Sequence, residues 1–360
     1  MQEPRDPLRV LLVATSLDIV GGQAVQADYL RRGLEAEASV DLRFLPINPR
    51  LPGPLRLLQR IKYVRTVTTF TWFTLKLLWA APRADVLHIF AGSYFSFMVA
   101  PAPALLVARI LNKRSVLHYH DGRAEAYLST WRSAVPLIKL ADVVIAPSDY
   151  LVDVFARFGI PARCIYNVVA LDELQFRLRE HPRPRFLHNR GLEPLYDVPC
   201  TLRAFRRIQD RHPEAELVVA NDGSQRAELE AMAKELGLNA RFVGMVPPER
   251  NATMYEEADV YLMSPRIDNM PGSVLECYAT GVPLVSTDAG GVPYIVEHER
   301  TGLLVPVGDS DALAAAALRL LEEKGLAARL TRAGHAELDK YRWPPIRDAW
   351  LDLYRELTTA

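Results

Sequence analysis

The chain has 360 residues, enough to bury two separate cores, and its 43 lysines and arginines are balanced by 43 aspartates and glutamates. No global basic field argues for nucleic acid. The three cysteines, Cys164, Cys200 and Cys277, are too widely spaced for a disulfide framework or a zinc site and fit a reducing cytoplasm.

Residues 1–16 place charges before a short apolar run with no cleavage site, which reads as a first strand and not as a signal peptide. The run at 8–15 is continuously apolar, as in a strand buried on both faces of a parallel sheet. Gly21-Gly22 follows in a loop, and a helical pattern then passes through Val25, Tyr29, Leu30 and Leu34. No Gly-x-Gly-x-x-Gly fingerprint stands in this turn, which counts against a nicotinamide oxidoreductase. A second strand is expected at 40–47. Residues 50–83 carry no acidic residue but include Arg56, Arg60, Lys62, Arg65 and Lys76, interleaved with Leu57, Ile61, Phe70, Trp72, Phe73, Leu77 and Trp79. Such a basic, aromatic helix either packs on the core with its cations in solvent, the simpler reading, or lies in the interface of an anionic membrane. Arg65, Lys76 and several threonines interrupt its most apolar part, 64–81, so it is not expected to span a bilayer.

Strand-like runs recur at 85–90, 115–120 and 142–147, and Ala-Asp-Val opens runs at Ala84, Ala141 and Ala258. The repetition predicts two similar α/β domains with mostly parallel sheets. His118 and His120, at the C-terminal end of one strand, share a face by alternation, and Asp121 reads as a turn residue. Residues 162–169 are the expected last strand of the first half, and the basic, proline-interrupted 174–184 reads as an interdomain linker.

A strand at 185–189 opens the second half and is followed by Arg190-Gly191-Leu192. A strand at 216–221 leads to a turn at Asp222, and a helix over 226–236 ends at Gly237. The strand 241–246 carries Gly244 at its end, and 258–264 is a further strand. A loop then carries Asp268, turns at Pro271-Gly272 and feeds a helix beginning near Ser273, with Glu276 on its first turn. The strand 282–287 is closed by Gly290-Gly291. Free amides at a helix start can hold phosphate and carboxylates accept from hydroxyl groups, so this stretch suits an anionic ligand rich in hydroxyls. Asp309-Ser310-Asp311 has the form of a metal-binding Asp-x-Asp but precedes a strong helical pattern at 312–323. Asp309 or Ser310 is therefore read as an N-cap, and no metal is expected. Trp343-Pro344-Pro345 starts a last helix, 346–357.

Asp268 and Glu276 flank seven residues, and Pro-Gly, Gly-Val-Pro and Gly-Gly accompany them in SPRIDNMPGSVLECYATGVPLVSTDAGG, residues 264–291. This stretch resembles the Glu-x7-Glu element of the retaining glycosyltransferases of family 4, with Asp where the family usually has Glu. The resemblance implies the GT-B fold: two Rossmann-like domains facing each other across a cleft. Residues 1–175, with 344–360 packing back onto them, would form the acceptor side, and 176–343 would bind the nucleotide-sugar. The implied reaction moves a hexosyl unit from a UDP- or GDP-linked sugar to a hydroxyl of a saccharide or lipid-linked acceptor, with retention and without metal or other cofactor. It would take place in the cytoplasm or at the inner face of the membrane.

By the same resemblance Arg190 would neutralise the departing phosphate, assisted by the amides of Gly272, Ser273 and Val274. Glu276 would accept from the ribose hydroxyls and Asp268 would hold the sugar hydroxyls. Gly244 would lie beside the nucleobase, Gly21 and Gly22 near acceptor and donor phosphates, and His120 near the sugar or the acceptor. From the residues alone Gly21-Gly22 is equally a flexible turn, and His120 a histidine satisfied by backbone. The family's lysine, five or six positions after the arginine, is missing: Leu195 and Tyr196 stand there, and Arg266 is the candidate substitute. A non-catalytic nucleotide-sugar-binding subunit and a GT-B epimerase remain as alternatives.

Overall fold

In the first strand alternate side chains enter two different cores. Leu11 and Val13 pack on one side of the sheet, and Val10, Leu12 and Ala14 on the other, all buried. A strand apolar on both faces demands helices above and below it, and this requirement sets the layering of the chain. The structure, a computed structural model, describes residues 6–17, 22–169, 171 and 174–359, without the side chains of Pro248 and Glu249. It divides into two compact units, Met1–Val168 with Trp343–Ala360, and Val169–Arg342.

The first unit holds β1 (Leu8–Ala14), β2 (Val40–Pro46), β3 (Val86–Ala91), β4 (Arg114–Tyr119), β5 (Val143–Ala146) and β6 (Ala162–Cys164). They form a parallel sheet in the order β2-β1-β3-β4-β5-β6. Helices Gly22–Glu35 and Trp343–Thr359 cover one face, and Pro101–Ile110, Ala124–Thr130 and Asp149–Arg157 contribute to the other. The expected last strand, 162–169, is cut to three residues because pairing with β5 ends at Cys164. The second unit repeats the plan with β7 (Arg185–Asn189), β8 (Glu216–Ala220), β9 (Ala240–Gly244), β10 (Val260–Met263), β11 (Leu284–Thr287) and β12 (Leu303–Val305). Their order is β12-β11-β10-β7-β8-β9, again parallel.

The final helix is completed in the first unit. Its Trp350 and Tyr354 are buried there, and the Tyr354 hydroxyl lies 2.6 Å from Nδ1 of the buried His88. His88 Nε2 stands 3.2 Å from His118 Nδ1, and the rings of His118 and His120 are 4.0 Å apart.

Residues 174–184 correct the expectation of a linker. The segment belongs to the second unit, where Asp259 pairs with Arg177 at 2.7 Å and with Arg183 at 2.5 Å. Arg179 is buried and donates to the carbonyls of Ala258, Arg177, Thr280 and Tyr255. These bonds use main-chain acceptors, which a composition reading does not see, and they turn a proline-interrupted coil into a strap across the unit.

Candidate active site

β7 and β10 are neighbours in the second sheet, but the strands added beyond each run outward in opposite directions. The loops leaving their C-terminal ends therefore diverge and open a crevice, the usual ligand position of such sheets. Arg190 directly follows β7, and the loop carrying Asp268 follows β10. The crevice brings the two together: Arg190 Nη2 donates to Asp268 Oδ2 at 2.5 Å. The guanidinium also stacks on the Tyr196 ring, 4.5 Å from its centroid, while its Nε–H is buried with no partner among the described residues. Burial pulls the guanidinium pKa down, but the Asp268 carboxylate outweighs it and holds the group above its ordinary value.

The Asp268 loop is held in place from behind. Asp268 Oδ1 accepts from the Asn269 amide at 2.8 Å, and the Asp268 carbonyl accepts from the Gly291 amide at 2.8 Å. A Cβ on Gly290 would overlap the Asp268 carbonyl oxygen, and one on Gly291 that of Asn269. The Gly-Gly pair is there because two backbone segments touch.

Glu276 lies on the helix Gly272–Thr280, which begins one residue earlier than expected, so the carboxylate falls on its second turn, not its first. Its Oε2 accepts from the Tyr255 hydroxyl at 2.6 Å and its Oε1 from Asn251 Nδ2 at 2.9 Å. Asn189 Nδ2 donates on to Asn251 at 3.0 Å, and Asn221 donates to Asn189 at 2.6 Å. Burial raises the Glu276 pKa, opposed by its bonds to Tyr255 and Asn251 and by the charge of Arg190. Of the helix-start amides, that of Val274 already donates to the Pro271 carbonyl at 3.1 Å. The Gly272 and Ser273 amides make no such bond among the described residues. Gly244 closes β9 in the left-handed region, with φ 73°.

The other expectations fall as follows. Tyr196, at the place of the missing lysine, serves Arg190 as an aromatic floor. Arg266 is held by Asp197, 3.0 Å away, and its amide donates to the Leu195 carbonyl. Asp309 is an N-cap, accepting from the amides of Asp311 at 3.0 Å and Ala312 at 2.9 Å. In the first unit His120 stacks on Phe90, and burial pushes its imidazole down to about 3. Gly22 opens its helix, exposed, while Gly21 lies outside the described residues. A cavity of about 300 Å³ in the second unit, between the β7–β9 face and 245–258, is lined by none of Arg190, Asp268 or Glu276.

Residues 173–337 match the family Glycosyl transferases group 1, and residues 20–173 match Glycosyltransferase Family 4. The chain belongs to glycosyltransferase family 4. Among curated proteins it is 30% identical over 178 residues to D-inositol 3-phosphate glycosyltransferase of Corynebacterium jeikeium, covering 47% of this chain and 42% of that one. It is 23% identical over 289 residues to sulfoquinovosyl transferase SQD2 of Arabidopsis thaliana, covering 72% of this chain and 54% of that one. The chain thus spans about half the length of the curated relatives it matches. Among solved structures it resembles Anabaena HepE in complex with UDP-glucose, with a TM-score of 0.76 at 17% identity over 97% of this chain and 100% of that one. Sucrose-phosphate synthase of Thermosynechococcus elongatus gives 0.71 at 20% identity over 98% and 99%. The two parallel sheets with flanking helices are those of the GT-B fold.

Asn189, Asn221, Asn251 and Tyr255 were not visible in the sequence as site residues of this family 4 chain. Asn251 and Tyr255 stand four apart on the helix Pro248–Glu257, a spacing that any polar helix face can show. Only the fold reveals that both point at Glu276.

Proposed function

We propose that the chain is a retaining hexosyltransferase, taking a hexosyl unit from a nucleoside-diphosphate sugar and passing it to an acceptor hydroxyl without a metal ion. The observation that carries this is the Arg190–Asp268 pair at the β7/β10 switch point, beside the start of the helix Gly272–Thr280. A guanidinium fork and two free helix-start amides form a site for a diphosphate, and the leaving group needs that charge stabilisation as its bond to the sugar breaks. Both carboxylates have acceptor capacity left beyond their protein partners, so Asp268 can take sugar hydroxyls and Glu276 the ribose diol. The base is placed beside Gly244, whose carbonyl accepts from the Asn221 amide at 2.8 Å. HepE, crystallised with UDP-glucose, supports the donor class. On the acceptor side we assign His120, a neutral imidazole able to donate and accept, together with Gly21 and Gly22.

One observation favours a second reading, a nucleotide-sugar binder without turnover: the aromatic Tyr196 occupies the place of a second cation. A thermal-shift panel of UDP, GDP, ADP and their sugar conjugates in EDTA, followed by assay of nucleoside-diphosphate release and product anomer, separates the two. One nucleotide at about a hundred times its Kd is expected to stabilise by roughly 2.7 kcal/mol, a shift of a few degrees. Release with an axial or equatorial anomer matching the donor supports retention. A shift without release favours the binder, and no shift with any nucleotide overturns both.

A further inference from the structure

The stretch 50–83 folds as a 3-10 turn, Gly53–Arg60, and a long helix, Lys62–Ala80, and most of its apolar surface has no protein partner. Only Phe73 and Leu77 of the helix are buried. On the opposite side Val64, Val67, Thr71, Leu75 and Leu78 follow one another at intervals of three and four, and Val67 is 65% exposed. Leu57 and Ile61 extend this surface at 58% and 56% exposure. A helix apolar on its outer side as well as its inner one requires a cover.

Three features of this surface say what covers it. First, the polar atoms on the outer side are already satisfied: the hydroxyls of Thr68, Thr71 and Thr74 donate to the carbonyls of Val64, Val67 and Phe70 at 2.8 to 2.9 Å. The face therefore offers mostly hydrocarbon, its threonine hydroxyl protons already spent within the helix. Second, Arg56, Arg60, Lys62, Arg65, Lys76 and Arg83 border it without one acidic residue between 50 and 83. A twofold dimer through this face would set those cations against their own copies, since such an interface pairs a patch with itself. Third, the most exposed tryptophan of this surface is paired with a cation: Arg83 lies 4.3 Å over Trp79, which is 65% exposed. Trp beside Lys or Arg is the pairing of the headgroup layer, where one end is apolar and the other wet. No helix among the described residues is long and apolar enough to cross a membrane, so contact would be with a surface.

We infer that 53–80 docks this unit onto an anionic lipid bilayer, the outer stripe entering the acyl boundary and the flanking cations meeting lipid phosphates. This docking does not depend on the donor chemistry. Flotation of the full chain with vesicles of phosphatidylcholine, alone or with phosphatidylglycerol added, tests it without any sugar substrate. The expected result is binding at least tenfold stronger to the anionic vesicles, weakening as salt is raised. Arg60→Glu/Lys62→Glu/Arg65→Glu should weaken it by more than a hundredfold, at about fivefold for each cation lost. Leu75→Ser/Leu78→Ser should weaken it about tenfold while leaving the charges intact. All five positions are exposed, and an unchanged melting curve shows that the fold has survived. Equal binding to neutral vesicles, or binding indifferent to both variants, overturns the inference. So does a dimer in light scattering that Leu75→Ser/Leu78→Ser dissolves while vesicles are ignored, because the cover would then be a second copy.

Discussion

Arg190 is the cation best placed for a diphosphate, and its charge is already answered by Asp268 at 2.5 Å. A phosphate approaching that guanidinium competes with the carboxylate for the same N–H groups and is repelled by it. Asp268→Asn keeps the shape, removes the competing charge and takes away an acceptor for sugar hydroxyls. The expected outcome is a split: nucleoside-diphosphate affinity by calorimetry rises several-fold, while kcat falls a hundredfold or more. If both fall together, Asp268 acts by positioning Arg190 and not by contact with the sugar. The two carboxylates and the arginine were legible in the sequence because their spacing and flanking glycines are local. The network behind Glu276 was not, since its donors Asn251 and Tyr255 lie on the helix Pro248–Glu257 and are joined by Asn189 and Asn221, which meet only when β7 and β8 pair.

At the scale of elements, the strands were readable from their continuous apolar runs, and most lie within a residue or two of where the pattern put them. The strap 174–184 was not readable, because a buried arginine bonded to carbonyls looks in sequence like any exposed one. Arg179→Met tests its weight. Burial pulls the guanidinium pKa down to about 10, so it stays charged, and its loss leaves the carbonyls of Ala258, Thr280 and Tyr255 without this donor. Losing such a buried network costs about 3 kcal/mol or more, so calorimetry should show the melting of the second unit lowered by on the order of 10 °C. Helix Leu326–Ala336 was missed outright: its apolar positions follow the previous helix too closely to separate the two by period alone. The helix over 62–80 was found, but the pattern left open whether it packed on the core with its cations in solvent or lay in a membrane interface.

The first of the molecule's two units carries a built-in acid sensitivity. His88 and His118 are buried with His120 packed half-buried against them, and desolvation pushes His88 and His120 down to about 3 and His118 well below its ordinary value. In the unfolded chain each titrates near about 6.5. Their folded pKa values are depressed, so the unfolded state binds more protons; stability is fully present above about pH 6.5 and is lost as pH falls towards 3. Three such groups give a slope of about 4 kcal/mol for each pH unit once below that onset. Urea midpoints at pH 7.5, 6 and 5 should fall accordingly, and His118→Gln should flatten the slope by about a third.

The same cluster is sealed by Trp350 and Tyr354, from a segment that the ribosome makes only after every residue of 169–342. Nascent domains ordinarily mature in the order in which they emerge. Here the earlier-made unit must wait with these histidines uncovered until translation has passed through the whole of the later one. Its sheet is therefore covered only after the chain of the second unit has been made, and the second unit is free to finish first.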